Sequence, residues 1–171
     1  MRMKLSIIIS ALKFNKQIEN QIQHIYAVLS NKFCYEIIIS LPNDYKLNAL
    51  KKFEHVTFLN QYGYGIYDAI NSAIDISASE YLYFIGDDDL IVNNFLDVVM
   101  DGYDSNADLI LANVFYGNSD LYKNKPSKSS LIFKNWCHQG VIYKSAFFKR
   151  HLKKYPLKYK LLSDYYGNML L

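Results

Sequence analysis

The chain has 171 residues, 51% of them hydrophobic and 20% charged, a globular composition that excludes a disordered or fibrous protein. Seven glycines and three prolines leave little room for linkers, so a single domain with a real core is expected over residues 1–171. The net charge of +3 hides a split: residues 1–120 carry eight Lys and Arg against fifteen Asp and Glu, whereas residues 121–171 carry eleven against the single acid Asp164.

In chain order, Leu5–Ser10 (LSIIIS) is β-branched and reads as a buried first strand. The apolar run Leu5–Leu12 is too short to span a membrane or to form the core of a secretory signal, which makes the cytoplasm the default compartment. From Asn15 to Ser30, Ile18, Ile22, Ile25, Tyr26 and Leu29 recur at helical spacing. Glu36–Ser40 (EIIIS) is a second strand, Pro42-Asn43-Asp44 a turn that can start a helix through Phe53, and His55–Leu59 (HVTFL) a third strand. Ile66, Ala69, Ile70, Ala73 and Ile74 form another helical stripe. Tyr81–Ile85 (YLYFI) is a fourth strand that runs into Gly86 and three aspartates. Asn93 or Asn94 is placed to cap a helix through Met100, and Asp108–Val114 (DLILANV) is a fifth strand. Gly117–Ser130 reads as a polar loop and Val141–Tyr143 as a late strand, with Ser145 and Ser163 placed to cap two last helices. Cys34 and Cys137 lack CxxC spacing and support neither a disulfide nor a two-cysteine metal site.

Alternating β and α segments with continuous apolar strands predict an α/β fold, a mostly parallel, Rossmann-like sheet flanked by helices on both faces. Ligands of such sheets bind beyond the carboxyl ends of the strands, where Gly86–Asp89 falls. Three adjacent carboxylates repel one another, and a hard divalent cation relieves that repulsion. Mg²⁺ or Mn²⁺ takes one or two carboxylates, with water and phosphate oxygens completing its shell. Read alone, the triplet is served better by a solvated acidic turn. The basic C-terminal third points to a polyanion (phospholipid or pyrophosphate) or to a solvated surface; no RNP, KH or helix-turn-helix pattern supports nucleic acid.

Four motifs narrow the choice. Gly65-Ile66-Tyr67-Asp68-Ala69-Ile70-Asn71, the run Glu80–Asp89, Trp136-Cys137-His138-Gln139-Gly140-Val141 and Leu162-Ser163-Asp164-Tyr165 occur in the order and spacing of the family 2 glycosyltransferases. With the opening strand, the resemblance covers nearly all of the chain and is strongest to bacterial polysaccharide and lipopolysaccharide transferases. It implies a GT-A fold and transfer of a sugar from a nucleotide-sugar donor to a hydroxyl of a glycan or lipid-linked acceptor, with inversion. It implies that Asp87 and Asp89 end a DxD-type motif, Asp89 being the first choice as direct ligand of Mn²⁺ or Mg²⁺. Asp164 becomes the general base, in place of an ordinary first-turn helix acid. Ser10, Asp44, Asp68, Asn71 and Asp88 are candidates for donor contact. Trp136, His138 and Gln139 are candidates for acceptor or diphosphate contact, with metal a further option for His138. The resemblance divides the chain into a nucleotide-sugar half, 1–114, and an acceptor half, 115–171.

One departure leaves the nucleotide base open. The family's Asp after the second strand is missing from Ile39-Ser40-Leu41-Pro42-Asn43-Asp44, so Ser40, Asn43 or Asp44 is left to replace it and uracil is only the default. A nucleotidyltransferase would carry a Gly-rich basic loop after the first strand, where this chain has Ala11-Leu12-Lys13-Phe14-Asn15. A non-catalytic nucleotide-sugar-binding module is the other alternative. Phe147, Phe148, Leu152 and Tyr155, interleaved with Lys149, Arg150, Lys153 and Lys154, suit a peripheral contact with an anionic membrane. The end at Met169-Leu170-Leu171, inside an apparent helix, reads as a shortened form.

Overall fold

The computed structural model describes residues 4–29, 33–50, 52–117, 120–125 and 127–171. Six strands form the main sheet: β1 (Leu5–Ser10), β2 (Tyr35–Leu41), β3 (Val56–Asn60), β4 (Tyr81–Gly86), β5 (Leu109–Leu111) and, late in the chain, β8 (Val141–Lys144). Their spatial order is β3-β2-β1-β4-β8-β5. The first four are parallel, and β8 runs antiparallel between β4 and β5. A separate hairpin pairs β6 (Val114–Tyr116) with β7 (Asp120–Tyr122).

Side-chain alternation along the strands builds two cores. Leu5, Ile7 and Ile9 of β1, Ile37 and Ile39 of β2, and Tyr81, Tyr83 and Ile85 of β4 pack under α1 (Lys16–Leu29) and α3 (Phe95–Asp104). Ile8, Ile38, Leu82 and Phe84 face the other way, towards α2 (Ile66–Ile76), α4 (Lys128–Leu131), α5 (Ser145–His151) and α6 (Ser163–Leu170). Burial on both faces explains why these strands read as unbroken apolar runs. The expected α/β sheet flanked by helices on both faces is therefore present.

Several local expectations are corrected. Pro42-Asn43-Asp44 starts no long helix, and only Leu47–Ala49 forms a short 3-10 turn; Ser30 and Lys51 lie outside the described residues. The segment 108–114 is two strands, not one, because the chain leaves the sheet at Ala112 to form the hairpin. The polar loop after Gly117 holds β7 and α4. Asn15 does cap α1, its Oδ1 accepting the Ile18 N–H at 3.1 Å. Asn94, Ser145 and Ser163 make no such cap. The two serines instead tie distant loops together, Ser145 Oγ donating to the Ser79 carbonyl at 2.6 Å and Ser163 Oγ to that of Pro156 at 2.8 Å. Phe148 and Tyr155 of the expected membrane-facing cluster are 0% and 2% exposed and pack on Phe84, which leaves only the half-buried Phe147 and Leu152 beside the exposed basic side chains.

Candidate active site

The parallel register sets the floor of the site. Ser10 lies level with Ser40 on one side and with Gly86 on the other, at the carboxyl ends of three adjacent strands. Ser40 is fully buried, which removes it as a ligand contact, whereas Asn43 and Asp44 are exposed on the loop beyond β2. Gly86 begins the acid loop. A Cβ there would come within 2.7 Å of Asp89 Oδ2, so a glycine lets the carboxylate fold back onto the strand end. Asp89 Oδ2 accepts the Gly86 N–H at 3.0 Å and the Gln139 side-chain amide at 3.1 Å.

Helix α1 holds the loop from below. Gln21 Nε2 donates to the carbonyls of Gly86 and Asp89 at 2.7 and 2.6 Å, and His24 Nε2 donates to that of Ile91 at 2.7 Å. Lys16, Gln17 and Asn20 line an open cleft of about 550 Å³ with Asp87, Asp88 and Asp89. Asp87 has no hydrogen-bond or ion-pair partner among the described residues. Two carboxylates around an open cleft fit a divalent cation whose remaining ligands come from phosphate and water. Among the described residues no group of three or more His, Cys, Asp or Glu side chains is arranged to hold a metal ion by itself.

Asp164 sits on the opposite face of the sheet, in the first turn of α6. Its Oδ1 accepts the Tyr67 hydroxyl at 2.6 Å, and its Oδ2 accepts Asn135 Nδ2 at 2.8 Å. Asn135 Oδ1 accepts from Asn168, whose own Oδ1 accepts from Tyr143 on β8. Tyr67 is set by Gly65, whose φ of 106° lies where glycine is favoured and which starts α2. Burial first, and then the bond to Asp164, push the Tyr67 phenol pKa up.

A five-residue segment joins the two acidic centres. Asn135 holds Asp164 at one end and Gln139 holds Asp89 at the other. Between them, Trp136 is 5% exposed and donates its indole N–H to the Lys125 carbonyl at 2.8 Å. It forms part of the wall of a cavity. Cys137 Sγ bonds the Gln139 side-chain oxygen at 3.2 Å. His138 stacks on Phe84 at 5.1 Å, and both of its ring nitrogens are buried with no hydrogen-bond partner among the described residues. Burial lowers its pKa against the opposing pull of Asp164. The imidazole is therefore neutral and poorly suited to balance a diphosphate. A cavity of about 370 Å³ links Tyr67, His138, Gln139 and Asp164.

Two expected donor contacts lie elsewhere. Asn71 is buried and spends both ends of its amide on the Tyr155 backbone, donating to the carbonyl at 2.8 Å and accepting the N–H at 2.9 Å. That makes it a bracket between α2 and the 155 loop instead of a donor contact. The Asp68 carboxylate lies against Gly63, in the loop before α2. Gln21, His24, Tyr67 and Asn135 were not anticipated. Gln21 carries a signal in the sequence, a polar residue on the apolar stripe between Ile18 and Ile25, and Tyr67 lies within the Gly65–Asn71 motif; Asn135 carries none.

An acid loop at the end of a parallel strand faces an open cleft and is linked through residues 135–139 to a second, half-buried carboxylate. The chain belongs to glycosyltransferase family 2, whose model matches residues 7–169. A PGL/p-HBAD biosynthesis glycosyltransferase of Mycobacterium tuberculosis is 30% identical over 110 residues, 61% of this chain and 43% of that protein. S. aureus TarS, residues 1–349 in complex with UDP, superposes over 98% of this chain and 54% of its own, with a TM-score of 0.76 and 17% identity. The mannosyltransferase PcManGT from Pyrobaculum calidifontis, in complex with GDP-Man and Mn²⁺, superposes over 91% and 48% with a TM-score of 0.62 and 13% identity. The fold is thus GT-A. The chain spans about half the length, or less, of these proteins.

Proposed function

We propose that this chain transfers a sugar, with inversion, from a nucleoside-diphosphate donor to a hydroxyl of a glycan or lipid-linked acceptor in cell-surface polysaccharide synthesis. UDP is the default carrier, and the TarS complex with UDP supports it. The observation that carries the reading is the 135–139 segment, which fastens Asp164 and Asp89 into one site. Residues 1–114 carry the donor cleft, and residues 115–171 supply Asp164 and the 135–139 segment.

In this mechanism the acceptor oxygen attacks the anomeric carbon as the bond from that carbon to the diphosphate oxygen breaks. The acceptor proton passes to Asp164, whose two oxygens are steered by Tyr67 and Asn135. Asp87 and Asp89 would hold Mn²⁺ or Mg²⁺, which would supply positive charge against that of the leaving diphosphate. Lys16 adds a cation at the edge of the donor cleft. Ser10, Asp44 and Asp88 are the candidates around the donor.

A panel of nucleotide sugars tests the reading. A matching donor raises the melting temperature by mass action, more so with Mn²⁺, and turnover releases nucleoside diphosphate. Release of pyrophosphate from a nucleoside triphosphate would instead identify a nucleotidyltransferase, and binding without transfer to any acceptor a non-catalytic module.

A further inference from the structure

Beside the donor cleft and the Asp164 cavity lies a third recess, of about 440 Å³, on the α1/α3 face of the sheet. Its floor is core, with Tyr83 and Ile142 from the sheet and Phe95 from α3; the rings of Tyr83 and Phe95 lie 4.8 Å apart. The Tyr83 hydroxyl is already committed to the Gln139 carbonyl at 3.0 Å, and the His24 ring to that of Ile91. Hydrogen-bonding side chains are thus left at the margins: Asp88, Asp89 and Gln139 at one end, and the exposed Asn113.

The rim is apolar and faces water. Leu90 is 64% exposed, Val92 47% and Phe115 56%. Single exposed apolar side chains need no explanation. Here three of them, from the loop after the acids and from β6, line the same apolar recess. Such grouping on a protein surface marks a binding site. The volume falls within the roughly 300–1,000 Å³ of small-molecule sites and exceeds the roughly 150 Å³ that accepts a benzene-sized guest.

The position of the polar end selects the occupant. Asp89 and Gln139 belong to the transfer site, so the recess opens onto a reactant. A nucleotide donor, with its phosphates and ribose, is the wrong chemistry for an apolar floor. The acceptor is the remaining reactant. We propose that this recess is an acceptor subsite for an apolar aglycone, an aryl or alkyl group carried next to the sugar or hydroxyl that reacts. The assignment rests on the glycosyl-transfer reading and narrows its acceptor to hydrophobic glycosides and related hydroxyl compounds.

Hexyl glucoside and phenyl glucoside, compared with glucose, test it in two arms. With donor and Mn²⁺ held constant, the glucosides should be used at least tenfold better in kcat/KM, since each buried methylene is worth about fourfold. Without donor, they should raise the melting temperature where glucose does not. Val92→Ser and Phe115→Ser, both at exposed positions, should abolish the preference in each arm and leave the stabilisation by UDP and Mn²⁺ unchanged. Preference for hexyl identifies an alkyl group and preference for phenyl an aryl one. Equal treatment of glucose and both glucosides, or a preference that survives both substitutions, overturns the subsite. If no donor gives turnover, the transfer reading fails and the binding arm alone still decides the subsite.

Discussion

At the residue scale the account turns on how Asp164 is held. Tyr67 and Asn135 each bind one of its oxygens, and Asn135 is itself fixed by Asn168 and Tyr143. Misplacing a reacting group by about 1 Å costs roughly 100-fold. Tyr67→Phe and Asn135→Ala should therefore lower kcat by about 10- to 100-fold, leaving the KM for donor unchanged. Steady-state kinetics separates this from a general loss of folding, which would lower donor affinity as well. His138 permits a second expectation. Its pKa is pushed down by burial, so the unfolded chain binds a proton more readily than the folded one. Its stabilising contribution is complete above the unfolded value of about 6.5 and is lost as pH falls from there through the folded value. The melting temperature should drop between about pH 7 and pH 5, and His138→Gln should flatten that drop. An identical slope in both proteins would show that other groups govern it.

At the scale of elements, the strands and long helices were readable because burial writes a period into sequence. The isoleucines of LSIIIS and EIIIS end up alternating between two cores, and the stripe from Ile18 to Leu29 faces the sheet. The failures have one physical cause, the competition between local signals and long-range partners. Ser145 and Ser163 look like caps, yet their hydroxyls are used by carbonyls of other loops. Asn71 looks like a polar helix face, yet it brackets a loop 84 residues away. The acid loop was found from its charges, whereas its supports, Gln21 and His24, act through backbone carbonyls that no sequence pattern displays. That support gives a further prediction. In Gly86→Ala the new Cβ would displace the Asp89 carboxylate, the mobile end of a side chain, so the fold should survive. Stabilisation by UDP with Mn²⁺ should fall by about tenfold in apparent affinity, in line with loss of a metal-supporting contact. A melting-temperature titration reads both effects.

For the whole molecule, one segment unites what the sheet separates. The acid loop leaves β4 towards the α1 side, Asp164 begins α6 on the other side, and residues 135–139 bridge them. The motifs in the sequence marked both ends of that bridge but not Asn135, whose role exists only in three dimensions. The basic third remains exposed at Lys149, Arg150, Lys153 and Lys154, with Lys154 paired to Asp75 at 2.7 Å. No helix among the described residues is long and apolar enough to cross a membrane. With Phe148 and Tyr155 buried, binding to anionic liposomes should be weak and should fade as salt rises to about 0.5 M; sedimentation that ignores salt would assign this surface another purpose. The central claim, that Asp164 removes the acceptor proton at a site where the donor is held separately, is tested most directly by one comparison. Asp164→Asn should bind UDP and Mn²⁺ as the unaltered chain does and transfer sugar about 10²–10⁴-fold more slowly. Undiminished transfer by that variant would contradict the account.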